Sequence, residues 1–324
     1  LDRLLIANAT KTPEAAGKPI RQIAQARGVS PFEAYAALLR PGDTILSLDL
    51  QMGGHISHGL PISMTGRLYN IEHYGLDSRG YIDMRSVEDM AKKTRPKLII
   101  AGASAYSRII DFERFAHIAH ENGALLMADI AHIAGLVAAG EHPSPFGHAD
   151  IITTTTHKTL RGIRSALIFC KQEYARKVDS ALFPGMAGGP HMHTIAAKAV
   201  TAEEALTPEF RAYIRRVVEN SRAMAAEFTR MGYEVVTGGT DNHMFLLDFT
   251  HTHPTITGQM VQQALDSRAI TLNKNSVPGE KRSPMQTSGV RIGTAAMTTK
   301  GFGVDDFIAV AHRIDEIITS LTRE

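Results

Sequence analysis

From Asp43 onward, short apolar runs alternate with segments of helical period. "KLIIAGAS" (97–104), "ALLMADI" (124–130), "DIITTTT" (150–156) and "SALIFC" (165–170) are four- to eight-residue runs rich in aliphatic and β-branched residues, and each predicts a strand. "DFERFAHIAHENG" (111–123) repeats its apolar positions every three to four residues and predicts a helix. Strands alternating with helices predict an α/β fold: a mainly parallel sheet with helices on both faces. In such a sheet ligands gather at the carboxyl ends of the strands.

Past about residue 205 the rhythm changes. Two long helical patterns, 207–232 and 303–324, flank the short runs "YEVVTG" (233–238) and "HMFLLDF" (243–249). This predicts a smaller C-terminal α+β domain. Residues 1–40 read as a helical appendage or insertion-like segment, with breakers at Pro13, Pro19 and Gly28. Its tail, "SPFEAYAALL", carries a helix start: Ser30 as cap, Pro31 first inside, Glu33 three residues after the cap. The expected division is therefore 1–40, a large domain over 41–204 and a small one over 205–324.

Composition narrows the functional classes. The 324 residues are 44% hydrophobic and 21% charged, with a formal net charge of +2. That balance offers no electrostatic footprint for nucleic acid. The most apolar stretch, Ala124 to Gly140, contains Asp129 and His132, which a membrane span would not carry near its centre. Cys170 has no second cysteine to pair with, and no secretory signal is visible, so a cytoplasmic home is expected. Cys170 itself reads as a small core residue.

Three strand ends carry the chemistry. One delivers Asp129, with His132 three residues on; a second delivers His157 and Lys158 after four threonines; a third delivers Ser104, Tyr106 and Arg108. A lysine among apolar neighbours loses its proton more easily and becomes a nucleophile. A stiff β-branched strand is a suitable mount for it. Pyridoxal phosphate requires this pair: a lysine to form an imine and an acid against the protonated ring nitrogen. The plainer readings are a surface charge for Lys158, a helix cap for Asp129 or His55, and a surface ion pair for Arg291.

"DIAHIAGLVAAGEHPSPFGHADIITTTTHKTLRG" resembles serine hydroxymethyltransferase, a pyridoxal-phosphate enzyme of fold type I. So do "GGHISHG", "AGASAYSRIIDF", "FPGMAGGPHMHTIAAKAV", "GGTDNHMFLLDF", "TLNKNSVP" and "TSGVRIGTAAMTTKGFG", in order from about Pro41. The resemblance implies a seven-stranded-type sheet and transfer of the serine hydroxymethyl group to tetrahydrofolate, leaving glycine. It implies an imine on Lys158, Asp129 against the pyridinium nitrogen, and His55 stacked on the ring. Ser104 and His132 would lie near the ring oxygen. Thr155 and His157 would line the wall beside the lysine, His157 also reaching the phosphate. Gly188 and Gly189 would offer amides to the phosphate from a neighbouring subunit, which makes a homodimer, or a tetramer, the expected assembly. Arg291 would hold the amino-acid carboxylate, for which a planar fork suits better than a point charge. Asn275 would contact the pterin, and Arg161 and Arg164 would orient the lysine loop.

Several positions depart from the family pattern. Ala26-Arg27-Gly28 stand where it has a serine-glycine-serine phosphate cup, and its glutamate-tyrosine loop is missing. Together with a start on Leu1, this leads to the expectation of a longer enzyme seen in part. Ile163 replaces a proline, Ser165-Ala166 replace two glycines, and Ala295 replaces a proline. These changes are expected to shift cofactor affinity more than to abolish chemistry. Competing readings are a threonine-aldolase-like enzyme on the same cofactor, a non-catalytic paralogue, and a metal hydrolase built from His55, His58, Asp129 and His132.

Overall fold

The computed structural model describes residues 38–322. The helix start at Ser30 and nearly all of the 1–40 segment lie outside them. In chain order the strands are β1 (Thr44–Leu48), β2 (Asn70–Tyr74), β3 (Leu98–Gly102), β4 (Leu125–Asp129), β5 (Ile151–Thr155), β6 (Ala166–Cys170), β7 (Glu234–Val235), β8 (Met244–Asp248), β9 (Asn273–Asn275) and β10 (Gly289–Gly293). The α-helices are α1 (Met64–Leu68), α2 (Met84–Thr94), α3 (Phe112–Glu121), α4 (Ala134–Ala139), α5 (Gln172–Ser180), α6 (Met192–Ala205), α7 (Pro208–Arg230), α8 (Gly258–Asp266), α9 (Ala295–Thr299) and α10 (Val304–Leu321).

Among the described residues the large sheet has six strands in the order β2-β1-β3-β4-β5-β6. Its first five strands run parallel, which is the mainly parallel α/β sheet of a fold-type-I protein. Strand alternation divides the apolar residues between two faces. Leu46, Ile99, Leu126 and Ile152 pack on Val87, Phe112 and Phe115 of α2 and α3. Ile45, Leu98, Ile100 and Met127 pack on the other side against Leu39 and Tyr69.

β6 runs antiparallel to β5. A parallel return needs a crossover of a dozen or more residues, usually helical. Residues 156–165 are a loop without helix, so the chain folds straight back.

A separate four-stranded sheet, β7-β8-β10-β9, is antiparallel and carries its own core, with Phe228, Phe245, Phe249, Ile292 and Ile314 buried. The expected strand over 233–238 is cut to Glu234–Val235. Thr237 takes φ +67°, a conformation that a β-branched residue rarely adopts. Arg108 holds it there, donating from Nε to its hydroxyl (2.9 Å) and from a terminal nitrogen to its carbonyl (2.6 Å). Helix α7 joins the two parts. Thr207 caps it by accepting from the Phe210 amide, and Pro208 occupies the first turn. Its early residues pack on Leu136 of α4, and its later ones, Met224 and Phe228, enter the small-sheet core.

Candidate active site

β4 and β5 are adjacent, with Asp129 opposite Thr153, so both end at the same edge of the large sheet. Asp129 is the last residue of β4, and Lys158 follows β5 by three residues. There they line one pocket with His55, His58, Ser104, Ala131, His132, Thr153 and Thr155. A wider cleft opens from it, sharing His55, Ser104, His132 and Lys158 and adding Asn273, Lys274, Asn275, Thr287 and Arg291. The inner pocket belongs to the large sheet; the outer wall comes from β9 and β10 of the small one.

Backbone approach places His55. Gly53 has φ +103°, and its carbonyl accepts from the Ser104 and Ala105 amides (2.8 and 3.1 Å). A Cβ on Gly53 would lie 2.7 Å from the Ala105 carbonyl oxygen, so a larger residue would push the segment off the loop after β3. His55 then caps a short 3₁₀ turn, its Nδ1 accepting from the Ser57 amide at 3.2 Å. It is thus both a cap and a pocket wall. Burial, reinforced by the charge of His58, lowers its pKa to about 4, so the ring is neutral at physiological pH.

Asp129 is buried and fully engaged. His58 Nε2 lies 2.9 Å from one carboxylate oxygen, and the Ala131 amide donates to the other at 3.1 Å. Burial pushes the carboxyl up, but the His58 hydrogen bond and charge and the Ala131 amide outweigh it, so its pKa falls below the ordinary value. Asp129 is held as an anion. Lys158 shifts downward too, through burial first and then the charges of Arg291 and Arg164, with Asp129 opposing. An amine so placed gives up its proton more readily.

His132 lies beside the lysine with its ring stacked on His243, centroids 5.7 Å apart. Burial and the Lys158 charge keep His132 well below its usual pKa, and burial with the Arg291 and Lys158 charges takes His243 to about 3. Arg291, on β10, donates to the Ser104 carbonyl at 2.6 Å and to Asn273 Oδ1 at 3.2 Å. Burial lowers its pKa. Asn275 lines the same cleft, its amide donating to the Ser276 carbonyl at 2.7 Å.

Not every expected residue lines these cavities. His157 lies outside both, with Arg164 at 3.4 Å from its Nε2. Arg164 is exposed; Arg161, at φ +61°, packs its guanidinium 4.4 Å from the Tyr213 ring centroid. Gly188 and Gly189 are exposed, and a Cβ on either would meet nothing within 4 Å among the described residues. The lysine loop closes despite Ile163, because Thr156 donates its hydroxyl to the Ile163 carbonyl at 2.6 Å and its amide to the Ser165 carbonyl at 2.9 Å. Ala295, another departure, accepts from the Tyr213 hydroxyl at 3.2 Å.

Among the described residues no three His, Cys, Asp or Glu side chains converge as metal ligands, the set His55, His58, Asp129 and His132 included. No helix there is long and apolar enough to cross a membrane. Three contributors were not singled out as pairing partners in the sequence: His58 on Asp129, His243 on His132, and Asn273 on Arg291. The only signal for His58 was its place three residues after His55 in "GGHISHG".

An amine, an anionic acid and a neutral imidazole share the inner pocket, and the hydroxyl oxygen of Thr153 on its wall is buried without a partner among the described residues. This donor set fits an electrophilic aromatic cofactor with a ring nitrogen. A family model described as serine hydroxymethyltransferase matches residues 19–314, and so takes in residues 19–40 as well as the sheets.

Proposed function

Because the chain belongs to the serine hydroxymethyltransferase family, whose members are pyridoxal-phosphate-dependent transferases, we propose that this site exchanges the hydroxymethyl group of serine with tetrahydrofolate. The observation that carries the reading is the shared pocket of Lys158 and Asp129, with Arg291 at its mouth. Bound pyridoxal phosphate supplies an electrophilic carbon and a ring that withdraws electrons from the amino acid's α-carbon.

The protein's own residues do the rest. Lys158 offers the amine that anchors the cofactor and yields to the substrate amine. Asp129, kept ionised by His58, stabilises a proton on the ring nitrogen. His55, neutral, supplies a flat face for the ring. Ser104 and His132 serve the ring oxygen, and Thr155 walls the lysine side. Arg291 grips the substrate carboxylate through charge-assisted hydrogen bonds. Asn275 contacts the pterin in the outer cleft. His157 and Gly188-Gly189 are assigned to the phosphate, the glycines from the neighbouring subunit of a homodimer. Their exposure, beside the exposed Phe183, Met186 and Met192, supports that assignment. Arg164 orients the lysine loop. One cysteine, half-buried, supports a cytoplasmic setting.

Borohydride reduction of the holoprotein followed by peptide mapping tests the anchor: the pyridoxyl group should sit on Lys158, and its absence there defeats the proposal. Serine cleavage measured with and without tetrahydrofolate tests the acceptor. Cleavage that ignores folate favours the threonine-aldolase-like alternative, and no cleavage by a loaded protein favours the non-catalytic one.

A further inference from the structure

Arg291 has no carboxylate partner among the described residues; its two acceptors are a backbone carbonyl and an amide oxygen, both neutral. A guanidinium carries five N–H donors. Ser104 takes one from one terminal nitrogen and Asn273 takes one from the other, so each keeps a second N–H. Together with Nε–H they leave the guanidinium donors that a carboxylate can accept.

The Asn273 contact is built into the sheet. β9 and β10 run antiparallel with Asn273 directly opposite Arg291, and residues paired this way project from the same face. Asn273 also lines the outer cleft with Arg291. Its acceptor oxygen therefore comes from the same small sheet that carries Arg291, whereas Ser104 belongs to the loop after β3 of the large sheet. A neutral acceptor fixes the rotation of the guanidinium without cancelling its charge, and an aspartate there would compete with the ligand.

We propose that Asn273 is a positioning residue that orients Arg291 for the carboxylate of the amino-acid substrate, and so helps to set the preference for amino acids over simple amines. The proposal rests on the reading of Arg291 given above. It predicts a selective effect, since Asn273 acts through the guanidinium and not on the amine.

The test uses holoprotein loaded with pyridoxal phosphate and two probes, glycine and methylamine, whose dissociation constants are read from the cofactor's absorbance. Asn273→Ala should raise the glycine constant about three- to tenfold, the range for one lost hydrogen bond, and leave methylamine within about twofold. Serine KM should rise by a similar factor, with kcat falling less. Asn273→Asp, nearly isosteric, should weaken glycine further than alanine does, because its charge occupies the fork. The melting temperature of the unloaded variants checks that both fold. An unchanged glycine constant, or equal weakening of glycine and methylamine, overturns the proposal. If Arg291→Lys leaves the glycine-to-methylamine ratio at its wild-type value, the reading of Arg291 itself fails; if that ratio collapses while both Asn273 variants keep it, the assignment of Asn273 alone fails.

Discussion

His58 Nε2 lies 2.9 Å from Oδ2 of Asp129, with both side chains buried at the end of the large sheet. Nδ1 of His58 has no partner among the described residues. Nε2–H is therefore the hydrogen that the ring gives to the carboxylate. Removing the imidazole leaves a buried carboxylate short of its strongest donor. His58→Ala should therefore destabilise the protein by about 3 kcal/mol at neutral pH. Adding Asp129→Asn to it should cost less than the sum of the two single changes, because the penalty lies in the stranded charge. Urea unfolding of the wild type, both single variants and the double variant gives the coupling; strict additivity would deny that the pair acts as a unit.

The charges around Lys158 oppose one another, and the balance can be shifted in either direction. Burial, Arg291 and Arg164 lower its pKa, whereas Asp129 raises it. Arg291→Gln should accordingly raise the pKa of the Lys158 amine, and Asp129→Asn should lower it further. Reductive methylation with ¹³C-formaldehyde, followed by an NMR pH titration of the labelled amine in the cofactor-free protein, reads each shift directly. An unmoved amine in both variants would mean that burial alone sets the value.

The parts of this site that were legible in the sequence are those fixed by local pattern. β-branched and aliphatic runs mark β3, β4 and β5, and a titratable residue just beyond such a run lands at a strand end, as Asp129 and Lys158 do. The direction of β6 was not legible in "SALIFC", because a strand's own residues do not record which way its neighbour runs; the helix-free loop before it decides that. Thr237 ends β7 early through bonds to Arg108, 129 residues away in sequence, and His58 meets Asp129 across 71 residues. Pairings of that span follow from sheet order and not from any window of the chain. Gly188 and Gly189 present the opposite case: their assignment came from resemblance, and among the described residues nothing lies within reach of a Cβ on either.

Ser165 offers a test of the departures in the lysine loop. It stands where the family pattern has glycine, and its hydroxyl is buried with no hydrogen-bond partner among the described residues. Leaving a hydroxyl unsatisfied costs roughly 1–3 kcal/mol. The backbone bond from the Thr156 amide to the Ser165 carbonyl does not involve the side chain. Ser165→Ala should keep the loop and raise stability by about 1 kcal/mol, seen as a higher midpoint in urea. A lower midpoint would show that the hydroxyl has a partner of its own, such as an ordered water.

Asp150, behind β4 and β5, predicts the acid side of the stability curve. Its carboxylate is buried and accepts from Lys171 at 2.5 Å, His120 at 2.9 Å and the Leu126 amide at 2.8 Å. Burial alone would raise its pKa; the Lys171 bond, then the Leu126 and His120 bonds, bring it below the ordinary aspartate value. A carboxyl with a depressed folded-state pKa binds its proton less readily folded than unfolded. Its contribution is therefore complete above the unfolded value of about 3.9 and is lost as pH falls through the lower folded one. Asp150→Asn keeps the shape but removes the charge. At pH 7 it should be the less stable protein by about 1–3 kcal/mol, since Lys171 and His120 lose a charged acceptor. The gap should close as both proteins are taken from pH 4 toward pH 2. Urea midpoints measured across that range decide it: a gap that stays constant below pH 4 would mean that the Asp150 charge contributes nothing to folding.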